Sequence, residues 1–140
     1  MNPVTQQQDI DHILKTCRTV AVVGLSPKSH RDSYEVAEYM QRHGWRIIPV
    51  NPRALVDKIL GEKVYGSLVE AARHEQIDLV DVFRKSEDVP PVADEAIAIE
   101  AKGLWLQLGI EHEIATGKAR ASGLRVVQNK CLLVEHARRH

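Results

Sequence analysis

At 140 residues, 44% hydrophobic and 27% charged, the chain reads as one ordinary globular domain that buries roughly 68–70% of its unfolded surface. Lys and Arg total 19 and so do Asp and Glu, which excludes a global field for nucleic acid or anionic membrane; an anionic ligand would need a local positive site. No apolar run approaches a membrane span, residues 1–9 lack the regions of a secretory signal, and Cys17 and Cys131 share no metal or redox spacing, so a reduced, cytoplasmic protein is expected.

In chain order, Asp9 to Cys17 predicts a short amphipathic helix, with Ile10, Ile13 and Leu14 on one side. Thr19 to Val23 is an unbroken apolar and β-branched run that stops at Gly24, the pattern of a strand buried on both faces of a parallel sheet. A helix follows from Ser33, the expected N-cap, to His43, with Gly44 at its C-terminal stop. Trp45 to Val50 predicts a second strand, closed by the turn dipeptide Asn51-Pro52. Gly61 to Tyr65 predicts a short third strand, and Ser67 caps a helix running to His74. Ile77 to Phe83 is the next strand, apolar inside except for Asp81. Pro90-Pro91 suits the first turn of a helix ending near Gly103. Leu104 to Leu108, Glu111 to Ser122 and Leu124 to Gln128 complete the pattern as strand, helix and strand, with Gly123 between the last two. Such alternation means βαβ units with right-handed crossovers. The expected fold is a single α/β domain, a three-layer Rossmann-like doubly wound parallel sheet of five or six strands.

In such sheets ligands bind outside the carboxyl ends of the strands, at the point where strand order reverses. Four segments should meet there: Gly24 to Ser33, Asn51 to Arg53, Phe83 to Ser86, and Gln107 to Ile110. The first offers Ser26, Lys28, His30, Arg31 and Ser33 within ten residues. Gly24 permits a tight turn, hydroxyls and a helix N-terminus suit a pyrophosphate, and Lys28 and Arg31 suit its charge. The bland alternative is a solvated basic loop with no ligand. The dinucleotide fingerprint Gly-x-Gly-x-x-Gly is absent, because only Gly24 lies between strand and helix. Asn51, Pro52 and Arg53 stand where an acidic residue would receive a ribose hydroxyl. That argues against NAD and toward a nucleotide with an extra phosphate, either NADP or coenzyme A.

Five segments carry a family resemblance: Val20 to Ser26, Ile48 to Pro52, Val80 to Arg84, Trp105 to Ile110, and Asn129-Lys130-Cys131-Leu132 with Glu135-His136. Together they resemble the small, single-domain CoA-binding proteins, related to the N-terminal domain of the succinyl-CoA synthetase alpha subunit. The family more usually has an acidic and an arginine residue where Asn129-Lys130 stand, which puts a role for an acid at position 129 in doubt. The resemblance implies coenzyme A held at the strand carboxyl ends. Gly24, Leu25 and Ser26 would form the turn beneath the pyrophosphate. Asn51 and Pro52 would border the adenosine, Phe83 and Arg84 would flank the adenine or the start of the pantetheine arm, and Gln107 to Ile110, Gly109 included, would lie farther along. Ser33 would lie beside the pyrophosphate; electrostatics, more than the family, adds Lys28 and Arg31 there and Arg53 beside the adenosine.

No catalytic residue is assigned. Asp81 is either buried and anchored, with Arg84 or a backbone N–H as partner, or aimed at the site; anchoring is expected. Trp105 reads as core, Phe83 as packing or base stacking. Cys131 is expected to be a bland core cysteine; a reactive thiol would need an activating group, and His136 is the nearest in sequence. A mixed disulfide between Cys131 and the CoA thiol is an open option. The seven histidines show no His-x-x-x-His pair on an expected helix, and no metal is expected. The sequence carries neither the phosphohistidine domain nor the ATP-binding subunit of the related ligases. The expected function is a CoA- or acyl-CoA-binding module, not catalytic alone, with a protein partner or a homodimer left open. An NAD(P)-binding redox sensor or small oxidoreductase, or an acyl-CoA enzyme using Cys131, are the alternatives.

Overall fold

The computed structural model describes residues 5–140. The absence of a secretory signal was read partly from residues 1–4, outside that span. The elements are α1 (Thr5–Thr16), β1 (Thr19–Val23), α2 (Asp32–Arg42), β2 (Arg46–Val50), β3 (Lys58–Ile59), β4 (Glu62–Lys63), α3 (Leu68–Ala72), β5 (Leu79–Val82), α4 (Val89–Ala98), β6 (Gly103–Leu106), α5 (Glu113–Ala121), β7 (Arg125–Val127) and α6 (Leu132–Arg139). Five strands form one parallel sheet in the order β2-β1-β5-β6-β7. The fold is the expected Rossmann-like α/β domain.

Both faces of the sheet are covered by helices. On one, Ala21, Val23, Val80, Val82, Leu104 and Leu106 pack under α3, α4 and α5, which contribute Leu68, Ala93 and Ala115. On the other, Val20, Val22, Leu79 and Trp105 pack under α1, α2 and α6 through Ile13, Met40 and Leu132. This two-sided cover explains the continuous apolar strands, because each fully buried branched side chain stabilises by about 1.5–3 kcal/mol. Trp105 is wholly buried, as expected for core, and its ring N–H donates to the Lys130 carbonyl at 2.8 Å.

Helix α2 buries Val36, Ala37 and Met40 on one face and ends as its sequence predicts. Trp45 N–H donates to the Met40 carbonyl and Gly44 N–H to that of Gln41, a closing motif that needs the left-handed backbone of Gly44, φ +88°. Helix α4 closes in the same way at Ala98, with Glu100 at φ +58°, so it stops short of Gly103. Gly103 belongs to β6, where a Cβ would press on Leu79 and on Ile13 of α1.

Two expectations are corrected. The third strand, Gly61 to Tyr65, is not part of the main sheet. Leu60 and Gly61, both at positive φ, form the two-residue turn of a β3–β4 hairpin, and only Tyr65 bridges to Val50 beside β2. Helix α6 was not expected at all. Its buried face includes Glu135 and His136, so its pattern of polarity hides the stripe it presents to the core.

Candidate functional site

The strand order reverses between β1 and β5. From β1 the chain crosses through α2 to β2, then returns past β1 to β5. Gly24 ends β1 at this point, with φ +89°, and its N–H donates to the Val50 carbonyl at 2.8 Å. A Cβ on Gly24 would fall inside 3.0 Å of the Phe83 carbonyl oxygen. The loops after β1 and β5 therefore meet backbone to backbone, and glycine is what lets them do so.

The loop that follows is held by its own side chains. Ser26 N–H donates to the Ser33 hydroxyl at 3.0 Å, and Lys28 N–H donates to the Ser26 hydroxyl at 3.1 Å. Ser33 is thus buried inside α2 as a loop fastener, and Arg31, not Ser33, occupies the N-cap. Arg31 gives no side-chain cap, and the first helical bond runs from Glu35 N–H to the Arg31 carbonyl, so the opening turn of α2 has amides to spare. Leu25 points into the core, but its carbonyl accepts from Asn51 Nδ2 at 2.9 Å. The Asn51 side-chain oxygen accepts from Arg53 N–H at 2.9 Å. The Asn51 amide nitrogen thus ties the β1 and β2 loops together, and its oxygen closes the turn of the β2 loop itself.

Lys28, Arg31 and Arg53 are exposed and Arg84 is half-buried; among the described residues none of these four side chains forms an ion pair or hydrogen bond. Phe83 and Arg84 diverge, as successive residues leaving a strand do. Arg84 lines a small cleft of about 120 Å³ with Pro52, Ser67 and Glu95, on the α3–α4 side. Phe83 lines a cleft of about 310 Å³ with Gln107, Leu108, Ile110 and Cys131, on the α2–α6 side, with Asp32 and Glu35 at its wall. Gln107 is buried, and its Oε1 accepts from Leu132 N–H at 3.1 Å. Gly109 is exposed, and its N–H donates to Asn129 Oδ1 at 2.7 Å. Asn129 itself sits at φ +59°, a backbone that Asn tolerates well, so an amide at position 129 meets both requirements. Asp32, Glu35, Val36 and Leu133 of the larger cleft were not singled out from sequence, because they depend on how α2 and the unexpected α6 lie together.

Asp81 is buried but not anchored. Neither carboxylate oxygen has a hydrogen-bond partner. It lies in register with Val22 and Trp105 on the α1–α2–α6 face, whereas Arg84, three residues on, leaves on the other face. Burial pushes its carboxyl well above the ordinary range; the nearby Val82 amide opposes this without a hydrogen bond of good geometry.

The family motif's Glu135 is an anchor for Arg138, at 3.1 Å, and Arg139, at 3.0 Å. His136 Nδ1 meets the Tyr39 hydroxyl at 2.9 Å, a structural contact between α6 and α2. α6 also sets His136 one turn before His140, a His-x-x-x-His pair that no expected helix contained, with rings stacked at 4.1 Å. Among the described residues no three His, Cys, Asp or Glu side chains converge as a metal site. A wider groove of about 510 Å³ lies near the amino end of β5. Its Asp78 is already engaged by the Arg18 and Thr19 amides and by Lys102, and none of the glycine-turn geometry is found there. Among the described residues no helix is long and apolar enough to cross a membrane.

A family model described as a CoA binding domain matches residues 18–137. The chain belongs to that family. This CoA binding domain is 40% identical over 129 residues to the uncharacterized protein YneT of Bacillus subtilis (strain 168), covering 92% of this chain and 93% of that one. It superimposes with a TM-score of 0.88 on a hypothetical protein from Pyrococcus horikoshii OT3, 34% identical, over 99% of this chain and 96% of the other. A dinucleotide forming acetyl-coenzyme A synthetase 1 from Ca. Korarchaeum cryptofilum, in its apo form, gives a TM-score of 0.71 at 19% identity, covering 84% of this chain and 27% of that one. That last likeness shows shared fold alone.

Proposed function

We propose that this domain binds coenzyme A, free or as an acyl thioester, across the carboxyl edge of its sheet, and that it acts as a binding module rather than as a catalyst. The observation that carries the reading is a set of four cations on the loops after β1, β2 and β5, without ion-pair or hydrogen-bond partners among the described residues, in a chain of the CoA binding domain family. The pyrophosphate lies against the Gly24 turn and the free α2 amides, with Lys28 and Arg31 beside it. Leu25 and Ser26 shape that turn, and Ser33 holds it from beneath. The adenosine lies beside Asn51, Pro52 and Arg84, and Arg53 takes the extra ribose phosphate. The neutral arm runs past Phe83, Gln107 and Gly109 into the larger cleft. Asp32 and Glu35, at the wall of that cleft, can accept hydrogen bonds from the amide N–H groups of the arm.

Charge removal tests the placement. Arg31→Ala and Arg53→Ala should each weaken CoA binding by about 1–3 kcal/mol, the loss of one charge-assisted hydrogen bond. The Arg53→Ala loss should vanish when dephospho-CoA is the ligand, since its partner phosphate is missing. Unchanged CoA affinity in both variants would show that the positive cluster does not hold the nucleotide.

A further inference from the structure

The two cysteines have opposite surroundings. Cys17 is wholly buried between α1 and β1, and burial pushes its thiol upward. Cys131 is half-buried at the N-cap of α6 and lines the 310 Å³ cleft. The same cleft is lined by Gln107, whose side chain is 4% exposed. Its Oε1 is committed to the amide of Leu132, the residue after Cys131, while its Nε2 has no partner among the described residues. An N–H donor without a partner among the described residues and a thiol thus line the same cleft, walled by Phe83, Leu108 and Ile110. Such a cleft suits a ligand with an amide carbonyl a short distance from a sulfur.

We propose that Cys131 is a thiol–disulfide exchange site for the sulfur end of coenzyme A, with Gln107 Nε2 donating to an amide carbonyl of the arm. This rests on the reading that the carboxyl edge takes CoA. The co-reactant is a CoA disulfide. Cys131 Sγ, as thiolate, attacks one sulfur of the disulfide; the Sγ–S bond forms and the S–S bond breaks. The second CoA leaves as a thiolate and takes a proton from water, so one protein thiol and one CoA disulfide give one mixed disulfide and one CoA thiol. The step requires no general base from the protein beyond the thiolate itself. His136 does not serve as one, because its Nδ1 is engaged by Tyr39 and it packs between α6 and α2. An acyl transfer that relied on His136 as base therefore gains no support from the geometry.

The experiment follows adduct formation on the reduced full chain by intact-mass spectrometry, with CoA disulfide and oxidised glutathione as parallel probes. One adduct is expected, mapped to Cys131, absent in Cys131→Ser and retained in Cys17→Ser. CoA disulfide should react at least about 100-fold faster than oxidised glutathione, since recognition of the nucleotide raises the local concentration of the sulfur. Gln107→Glu keeps the acceptor for Leu132 but loses the donor, and should slow the CoA reaction about three- to tenfold, the worth of one hydrogen bond. Calorimetry of Cys131→Ser with reduced CoA separates the two readings. CoA binding without the adduct, or equal rates with both probes, overturns the exchange site and leaves the binding site standing. Loss of CoA binding in wild type and variant alike overturns both.

Discussion

Gly24→Ala probes the close approach of the loops after β1 and β5. Two penalties act on the new methyl group. The first is backbone strain at φ +89°, about 1–2 kcal/mol for a side-chain-bearing residue in the left-handed region. The second is overlap with the Phe83 carbonyl oxygen, a backbone atom that cannot rotate away; forcing β1 and β5 apart costs about 1–3 kcal/mol more. The sum is about 2–5 kcal/mol, large against the 5–15 kcal/mol of a typical domain but compatible with folding. Gly109→Ala supplies the control. It shares the strain, with φ +84°, but its Cβ would meet nothing within 4 Å. Urea unfolding should place Gly24→Ala about 1–3 kcal/mol below Gly109→Ala, and CoA titration should show at least a tenfold loss in Gly24→Ala. Equal stability losses in the two variants would refute the claim that the loops after β1 and β5 meet at Gly24.

Other expectations concern buried titratable groups. Asp81 holds its proton more tightly folded than unfolded, so its carboxyl erodes stability as pH rises above the ordinary carboxylate range. That penalty grows with pH above the ordinary carboxylate range, whereas the cost of a buried, unpartnered amide, about 1–3 kcal/mol, does not depend on pH. Asp81→Asn should therefore unfold at higher urea at pH 7.5, with the advantage shrinking toward pH 4.5; a pH-independent difference would contradict the buried acid. His136 has the opposite sign. Burial, with the neighbouring His140, His43 and Arg18 charges, lowers its value below the usual histidine range, so its contribution is complete above about pH 6.5 and is lost as pH falls. His136→Gln should flatten the fall in urea midpoint between pH 7 and 5, and an unchanged slope would exclude His136 as its source.

The fold was legible where burial is complete. β1 matches the expected Thr19 to Val23 because a two-sided apolar run has one structural meaning. The end of α2 was legible because Gly44 supplies a backbone that few other residues tolerate. Helix α6 was not legible, because Glu135 and His136 fill its buried face and their partners, Arg139 and Tyr39, are known only once the helix forms. The Gly61 segment misled because Val64-Tyr65 reads as the end of a strand that starts after a glycine, whereas Leu60 and Gly61 turn a hairpin. Within the candidate site, the sequence located the glycine turn and its cations but not their division of labour. Asn51 spends its amide nitrogen on one loop-to-loop bond and Ser33 fastens Ser26, roles that depend on contacts across 26 and 7 residues. Cys131 read as core because nothing local shows that α6 begins there, facing Gln107 across a cleft.

The most direct measurement is calorimetric titration of the purified, ligand-stripped chain with CoA, dephospho-CoA, NAD and NADP. Saturable CoA binding at one site per chain, weaker for dephospho-CoA and absent for NAD and NADP, is the expected result. Selective binding of NAD or NADP, or heat from none of the four, would contradict a coenzyme A site at the Gly24 edge.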